Sequence, residues 1–246
     1  MPAMPYLAPN AALRYDVVGR LAIRLHPLDV LEIGCGQGGF GSRLAAGRRY
    51  LAVEPDPDSY AVARSRIEPV GGTVLNADHT GVPTGSTYDL VCAFEVLEHL
   101  DNDKAALADW VELVRPGGHL LLSVPAWPHR FGSWDTMVGH YRRYTPDALA
   151  DLMRDVGLVG PETFLYGWPL GQVLELVRNR IAGRRFSALA GSSYEERTAG
   201  SGRVLQPARL SGLLATGGTM PFRYLQRLAP RQGTGLVALA RRPAAS

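Results

Sequence analysis

The sequence predicts an α/β protein built on a doubly wound, largely parallel sheet, and three observations carry that expectation. Short apolar runs recur along the chain, near-continuous rather than alternating, as strands buried on both faces are. Segments of helical period separate them, giving the βαβ rhythm. The first run breaks into a glycine-rich turn, the place in such sheets where a ligand meets the carboxyl ends of the strands.

Taken in order, "DVLEIG" (29–34), "RYLAVEPD" (49–56), "GTVLNAD" (72–78), "YDLVCAFE" (88–95) and "GHLLLSVP" (118–125) read as five strands. The helix in "DNDKAALADWVELVRPGG" carries Leu107, Trp110, Val111 and Val114 at i, i+3, i+4, i+7, with Asp101 as its cap and Pro116-Gly117-Gly118 as its stop. In "TPDALADLMRDVG", Thr145 is the N-cap and Pro146 the first helical residue. Leu149, Leu152, Met153 and Val156 form the stripe and Gly157 the stop. "LVGPETFLY" (158–166) reads as a sixth strand. "PLGQVLELVRNRIAG" places Leu170, Val173, Leu174, Val177 and Ile181 on one apolar helical face, fit to pack on a cap or on a second copy of the chain in a homodimer. Residues 183–208, rich in Gly, Ser and Arg, read as a loop; a helical stretch interrupted at Pro221 follows to about Leu228, and "GLVALARRP" (235–243) is the last strand. The expected organisation is one domain over 1–246: a core at about 20–166 and 233–243, an N-terminal lid segment at 1–19, and a mainly helical cap inserted at about 167–230.

The 246 residues are enough for a sizeable core, and 46% hydrophobic with 20% charged residues is ordinary for a globular chain. The net charge is +3, and Lys104 is the only lysine. The arginines are scattered among acids, with no stripe to hold nucleic acid. Cys35 and Cys92 show no C-x-x-C spacing, which argues against a disulfide framework or a cysteine metal site. The start, "MPAMPYLAPN", has no basic and apolar leader pattern, and no apolar run approaches the roughly 18 residues of a membrane span. A cytoplasmic protein is expected.

The turn in "DVLEIGCGQGGFG" satisfies G-x-G-x-x-G at Gly34, Gly36 and Gly39, a weak signal alone. Glu54 ends the second strand, where a carboxylate accepts hydrogen bonds from a ribose diol. Both features suit a dinucleotide or another adenosine-bearing cofactor. Three features favour the second. Glu32 stands just before the glycines; beside a pyrophosphate it is unfavourable, whereas an amino group or sulfonium welcomes it. Asp78 ends the third strand, positioned to accept from an exocyclic adenine amine. The fourth strand runs into the apolar and acidic "AFEVLEHL", a possible wall of the site.

With "VLEIGCGQGGF", "AVEPD", "NADHTGVP", "YDLVCAFEVLEHL", "LVRPGGHLLLSVP" and "GHYRRYTPDALADLMRDVGL" in this order, residues 28–160 resemble the class I S-adenosylmethionine-dependent methyltransferases. The closest likeness is to the small-molecule branch of ubiquinone/menaquinone or secondary-metabolite type. The resemblance implies a Rossmann-like, seven-stranded sheet whose last strand is antiparallel, and S-adenosyl-L-methionine as cofactor. It implies that Glu32, Gly34, Cys35 and Gly36 surround the methionine part, that Glu54 holds the ribose hydroxyls with Pro55 and Asp56 beside the adenine, and that Asp78 and His79 lie at the adenine. Phe94 and Glu95 line the methyl-donor side, and Tyr15 with Arg14 belongs to a segment that lids the site in relatives.

Methyl transfer asks mainly for proximity and alignment, with a base where the nucleophile is protonated. His140, in the loop after the fifth strand, is the leading base candidate, with Tyr144 and Asp135 behind it. A structural role for His140 competes with that reading. Trp127, Phe131, Trp134 and Tyr141 are candidates to floor an apolar acceptor pocket, and Arg143 to hold an acidic group of the acceptor. Glu95, Glu98 and His99 carry ligand-type side chains, but the same letters occur in metal-free relatives, and no metal is expected. The expected function is methyl transfer to a small-molecule acceptor through O-, N- or C-methylation. A nucleic-acid or protein methyltransferase, a nicotinamide oxidoreductase and a non-catalytic binding protein remain as alternatives.

Overall fold

The computed structural model describes residues 4–185 and 209–244. Seven strands form one sheet: β1 (Asp29–Ile33), β2 (Arg49–Val53), β3 (Thr73–Leu75), β4 (Tyr88–Phe94), β5 (Val114–Pro125), β6 (Val159–Gly167) and β7 (Gly233–Arg241). Their order is β3-β2-β1-β4-β5-β7-β6. β1 to β5 run parallel to one another, and β7 runs antiparallel to both β5 and β6.

The unbroken apolar runs have a direct cause. Successive residues point to opposite faces, and each face has its own core. On β4, Leu90 and Cys92 enter one cluster with Leu13, Val17 and Ile67; Val91 and Ala93 enter the other with Trp110, Leu149 and Met153. Helices α1 (Pro9–Leu25), α2 (Gly41–Leu44) and α3 (Pro57–Ile67) feed the first, and α4 (Asp103–Glu112) and α6 (Pro146–Asp155) feed the second. A short α5 (Ser133–Val138) follows β5, and α7 (Leu170–Arg185) and α8 (Arg209–Leu228) lie between β6 and β7.

Several local expectations shift. Asn102, not Asp101, caps α4, its Oδ1 accepting from Ala105 N at 3.1 Å. That helix ends at Glu112, and Val114 already opens β5, four residues before the expected start at Gly118. Pro221 sits inside α8 rather than dividing it. The expected lid segment 1–19 runs into α1, which buries Leu13, Val17, Val18 and Leu21. The loop expected at 183–208 lies, apart from the end of α7, outside the described residues.

The largest difference concerns α7. Of the face expected to pack on a cap or on a second copy of the chain, Val173, Val177 and Ile181 are exposed in the single chain, whereas Glu175 and Ala182 are buried. The apolar period measured amphipathicity but not its direction. The surface beneath α7 carries Arg130, Arg143 and Asp135, and it takes the side of the helix that bears Glu175.

Candidate active site

The strand order reverses about β1, which lies between β2 and β4. Beyond the carboxyl ends of these strands opens a cavity of about 920 Å³, where an open α/β sheet places its ligand.

One wall is made by backbone. The chain leaves β1 through Gly34, with φ +68°, where an added Cβ would meet Val96 Cγ2 at 2.7 Å. Gly36, with φ +53°, borders open space in the cavity. Glu54 pins this loop: its Oε2 accepts from Gly36 N at 2.7 Å and its Oε1 from Asp56 N at 3.0 Å. Each oxygen keeps acceptor capacity for a ribose hydroxyl. Glu32, 2% exposed, accepts a hydrogen bond from the Tyr50 hydroxyl, and burial pushes its carboxyl up to about 8. Such a carboxylate gains most from a ligand ammonium. Cys35, Pro55, Asp56 and Phe94 line the same wall. An adenosine cofactor ending in an amino acid therefore fits the donors and acceptors present.

Asp78 and His79 stand off the cavity wall. Asp78 caps a short turn, accepting from Thr80 N at 2.9 Å and Thr80 Oγ1 at 2.6 Å, while His79 Nε2 lies 3.5 Å from Asp109. Tyr15 also lies outside, packed edge-on against Phe40 at 5.1 Å, whereas its neighbour Arg14 lines the cavity. Adjacent helical residues diverge by about 100°, so only one of the two can point inward.

Glu95 marks the floor, one residue past β4, with φ +59°. A non-glycine residue there is costly and needs support. Its carboxylate meets Arg14 Nη1 at 2.9 Å, Ser123 Oγ at 3.2 Å and the Tyr166 hydroxyl at 3.4 Å. Burial opposes ionisation, but Arg14 outweighs it and holds Glu95 below the usual carboxylate range.

The opposite wall is made by charged side chains. His140 Nδ1 lies 2.8 Å from Asp135 Oδ1. A carboxylate only accepts, so Nδ1 carries the proton and Nε2 the lone pair. Arg143 grips the same carboxylate with Nε at 2.8 Å and Nη2 at 2.7 Å, and its Nη1 pairs with Glu175 of α7. Arg130 binds the other oxygen of Glu175. Burial works against a charged Asp135, but hydrogen bonds from His140 and Arg143 outweigh it and hold the carboxyl at about 2. Arg143, expected to receive an acceptor, is thus engaged on three sides by the protein. Trp134 and Tyr141 line the cavity.

Three other candidates point elsewhere. The Tyr144 hydroxyl donates to Asp103 Oδ2 at 2.8 Å on the α4 side, and burial raises its pKa far above the usual phenol value. It is no base for this cavity. The Trp127 indole N–H donates to Gly233 O at 3.0 Å, and its ring packs on the core under β5. Phe131 is 41% exposed and off the cavity lining. These residues share the loop with His140, but its turns aim them apart.

The fold also brings in residues that the sequence did not nominate: Tyr166, Glu175 and Arg178 all line the cavity. A signal existed, because Glu175 and Arg178 are spaced i, i+3 on the helix. Glu98, His99 and His140 each offer one ligand atom, all within 4.8 Å of one another, and so could hold a divalent metal. Both Glu98 oxygens are buried without a hydrogen-bond partner, and burial and Glu95 push that carboxyl well up. Burial and the neighbouring His140 push His99 down to about 4, leaving it neutral at physiological pH.

A doubly wound sheet, a glycine turn at its switch point and acids at the ends of β1 and β2 define a nucleoside-cofactor-binding α/β protein. Residues 10–160 match the methyltransferase domain family, so this chain belongs to the class I S-adenosylmethionine-dependent methyltransferases. It is similar to the "Probable S-adenosylmethionine-dependent methyltransferase" of Mycobacterium tuberculosis (strain H37Rv), 34% identical over 151 residues, which are 59% of this chain and 54% of that protein. The chain thus spans about half the length of the curated relatives it matches. Among solved structures, the N-methyltransferase NodS from Bradyrhizobium japonicum, in complex with S-adenosyl-l-homocysteine, has a TM-score of 0.57 at 18% identity, covering 95% of this chain and 89% of that one. Phosphoethanolamine N-methyltransferase 2 of Haemonchus contortus, in complex with S-adenosyl-L-methionine, has 0.57 at 19%, covering 92% and 52%. At these identities the likeness carries the fold. Among the described residues, no helix is long and apolar enough to cross a membrane.

Proposed function

We propose that this protein transfers a methyl group from S-adenosylmethionine to a small-molecule acceptor, with His140 as general base. One observation carries the reading: the cavity bounded by Gly36, Glu32 and Glu54 is also lined by His140, whose Nε2 lone pair is left available by the Asp135 contact. The bound cofactor supplies an electrophilic methyl carbon on a sulfonium, and the C–S electron pair returns to sulfur, leaving S-adenosylhomocysteine. The protein's part is to hold both molecules and manage one proton. Glu54 and the glycine loop hold the nucleoside end, and Glu32 and Arg14 stand at the amino-acid end. His140 Nε2 takes the proton of an O–H or N–H nucleophile as that atom's electron pair forms the new bond to carbon. Asp135, held ionised, stabilises the resulting imidazolium.

A cavity of this size suits a small acceptor, and the scattered arginines, with a single lysine, do not favour nucleic acid. The test uses labelled S-adenosylmethionine with a panel of phenols, amines and hydroxy acids, alongside tRNA and bulk protein. S-adenosylhomocysteine should form with a small acceptor, and His140→Gln should lower turnover about 10²–10⁴-fold without weakening S-adenosylhomocysteine binding. Labelling of RNA or protein alone would reject the small-molecule reading. Full turnover of the variant at all pH values would reject the base.

A further inference from the structure

Three guanidiniums, those of Arg130, Arg143 and Arg178, stand at or behind the acceptor wall and a fourth, that of Arg14, at the floor; all but Arg178 are paired. Arg14 meets Glu95; Arg130 and Arg143 share Glu175; and Arg143 also binds Asp135. Arg178 of α7 differs. Its Nε is buried without a hydrogen-bond partner, and among the described residues it makes no ion pair. Its guanidinium carbon lies 5.2 Å from the centroid of the Trp134 ring, and the residue lines the cavity. A buried charge without a direct partner is expensive; Glu95 and Glu175 act on it only at longer range, and burial outweighs them and lowers the Arg178 pKa. The cation–π contact with the indole leaves the guanidinium N–H groups for a ligand.

We propose that Arg178 is a binding site for an anionic oxygen group, a carboxylate or phosphate, on the acceptor. The inference rests on the small-molecule reading above and names the acceptor's chemical class: an organic acid or phosphate ester whose anion sits against Trp134. The cofactor's own carboxylate is the competing source of this chemistry. Position favours the acceptor. The charges acting on Arg178 are Glu95, Glu175, Tyr166 and Arg143, all of the floor and the His140 wall, and none of them belongs to the glycine loop. Arg14 is the guanidinium that acts on Glu32, which places Arg14 with the cofactor's amino-acid end.

The test measures binding by calorimetry in the full chain. S-adenosylhomocysteine is titrated first; its binding to the unmodified protein checks the underlying reading separately. Benzoate, phenyl phosphate and the neutral isostere benzamide are then titrated into the saturated protein. Benzoate or phenyl phosphate should bind together with S-adenosylhomocysteine. Arg178→Gln should weaken that anion about tenfold or more while keeping S-adenosylhomocysteine affinity and leaving benzamide unaffected. Arg178→Lys, which keeps the charge, should recover part of the loss. Equal anion binding in unmodified and Gln proteins would overturn the proposal, as would a Lys variant as weak as Gln. Loss of S-adenosylhomocysteine affinity in the Gln variant, with anions competing against it, would assign Arg178 to the cofactor instead.

Discussion

The two walls of the cavity are built by different physics. The cofactor wall is backbone and strand ends: glycines at positive φ, and Glu54 holding two main-chain N–H groups. The acceptor wall is a chain of side-chain charges, Arg130–Glu175–Arg143–Asp135–His140, running from α7 into the loop after β5. A wall of backbone fixes one ligand shape, whereas side chains on a cap can be exchanged without rebuilding the sheet. The difference teaches that the wall proposed to hold the cofactor is tied to the fold, and the wall proposed to meet the acceptor to its decoration.

Breaking the charge chain should have the largest effect. Arg143→Met leaves Asp135 and Glu175 buried without their shared cation, and the expected loss is about 3–5 kcal/mol of unfolding free energy, read by urea denaturation. A change below about 1 kcal/mol would mean that the acceptor wall is not held by these pairs.

The cofactor wall should respond to pH. Glu32 titrates near 8 when folded, against an ordinary 4.5. Between those values the folded state holds the extra proton, so this group's contribution to stability is present below about 4.5 and is lost as pH rises through about 8. Glu32→Gln should therefore flatten the fall in melting temperature across that window and gain up to a few kcal/mol at its alkaline end. It should also weaken S-adenosylhomocysteine. Unchanged pH dependence would show that the Glu32 charge is compensated.

The smallest expected effect sharpens the role of His140, which belongs both to the base pair with Asp135 and to the trio with Glu98 and His99. As a base it needs no metal, and treatment with EDTA should leave turnover unchanged. Loss of activity restored by a divalent cation would reassign His140 as a ligand.

Much of the cofactor wall was legible because its signals are local. A glycine forced by φ, a carboxylate at a strand end and a β–turn–α junction all lie within a few residues of chain, and Glu32, Gly36 and Glu54 are brought together as expected. On the opposite wall His140, Asp135, Trp134, Tyr141 and Arg143 were legible, though Arg143 turns out to be bound by Asp135 and Glu175. Tyr144, Trp127 and Phe131 share that loop yet face away, because the direction of a loop side chain depends on distant partners such as Asp103 and Gly233.

The sequence by itself determined the sheet, the position of the glycine turn and the family, since apolar period and turn chemistry act over short range. Only the tertiary structure decided which face of α7 turns inward and that, among the described residues, Arg178 pairs with no carboxylate. The physical reason is that pairing of buried charges depends on the space between elements far apart in the chain, and hydropathy along a helix carries no record of that space.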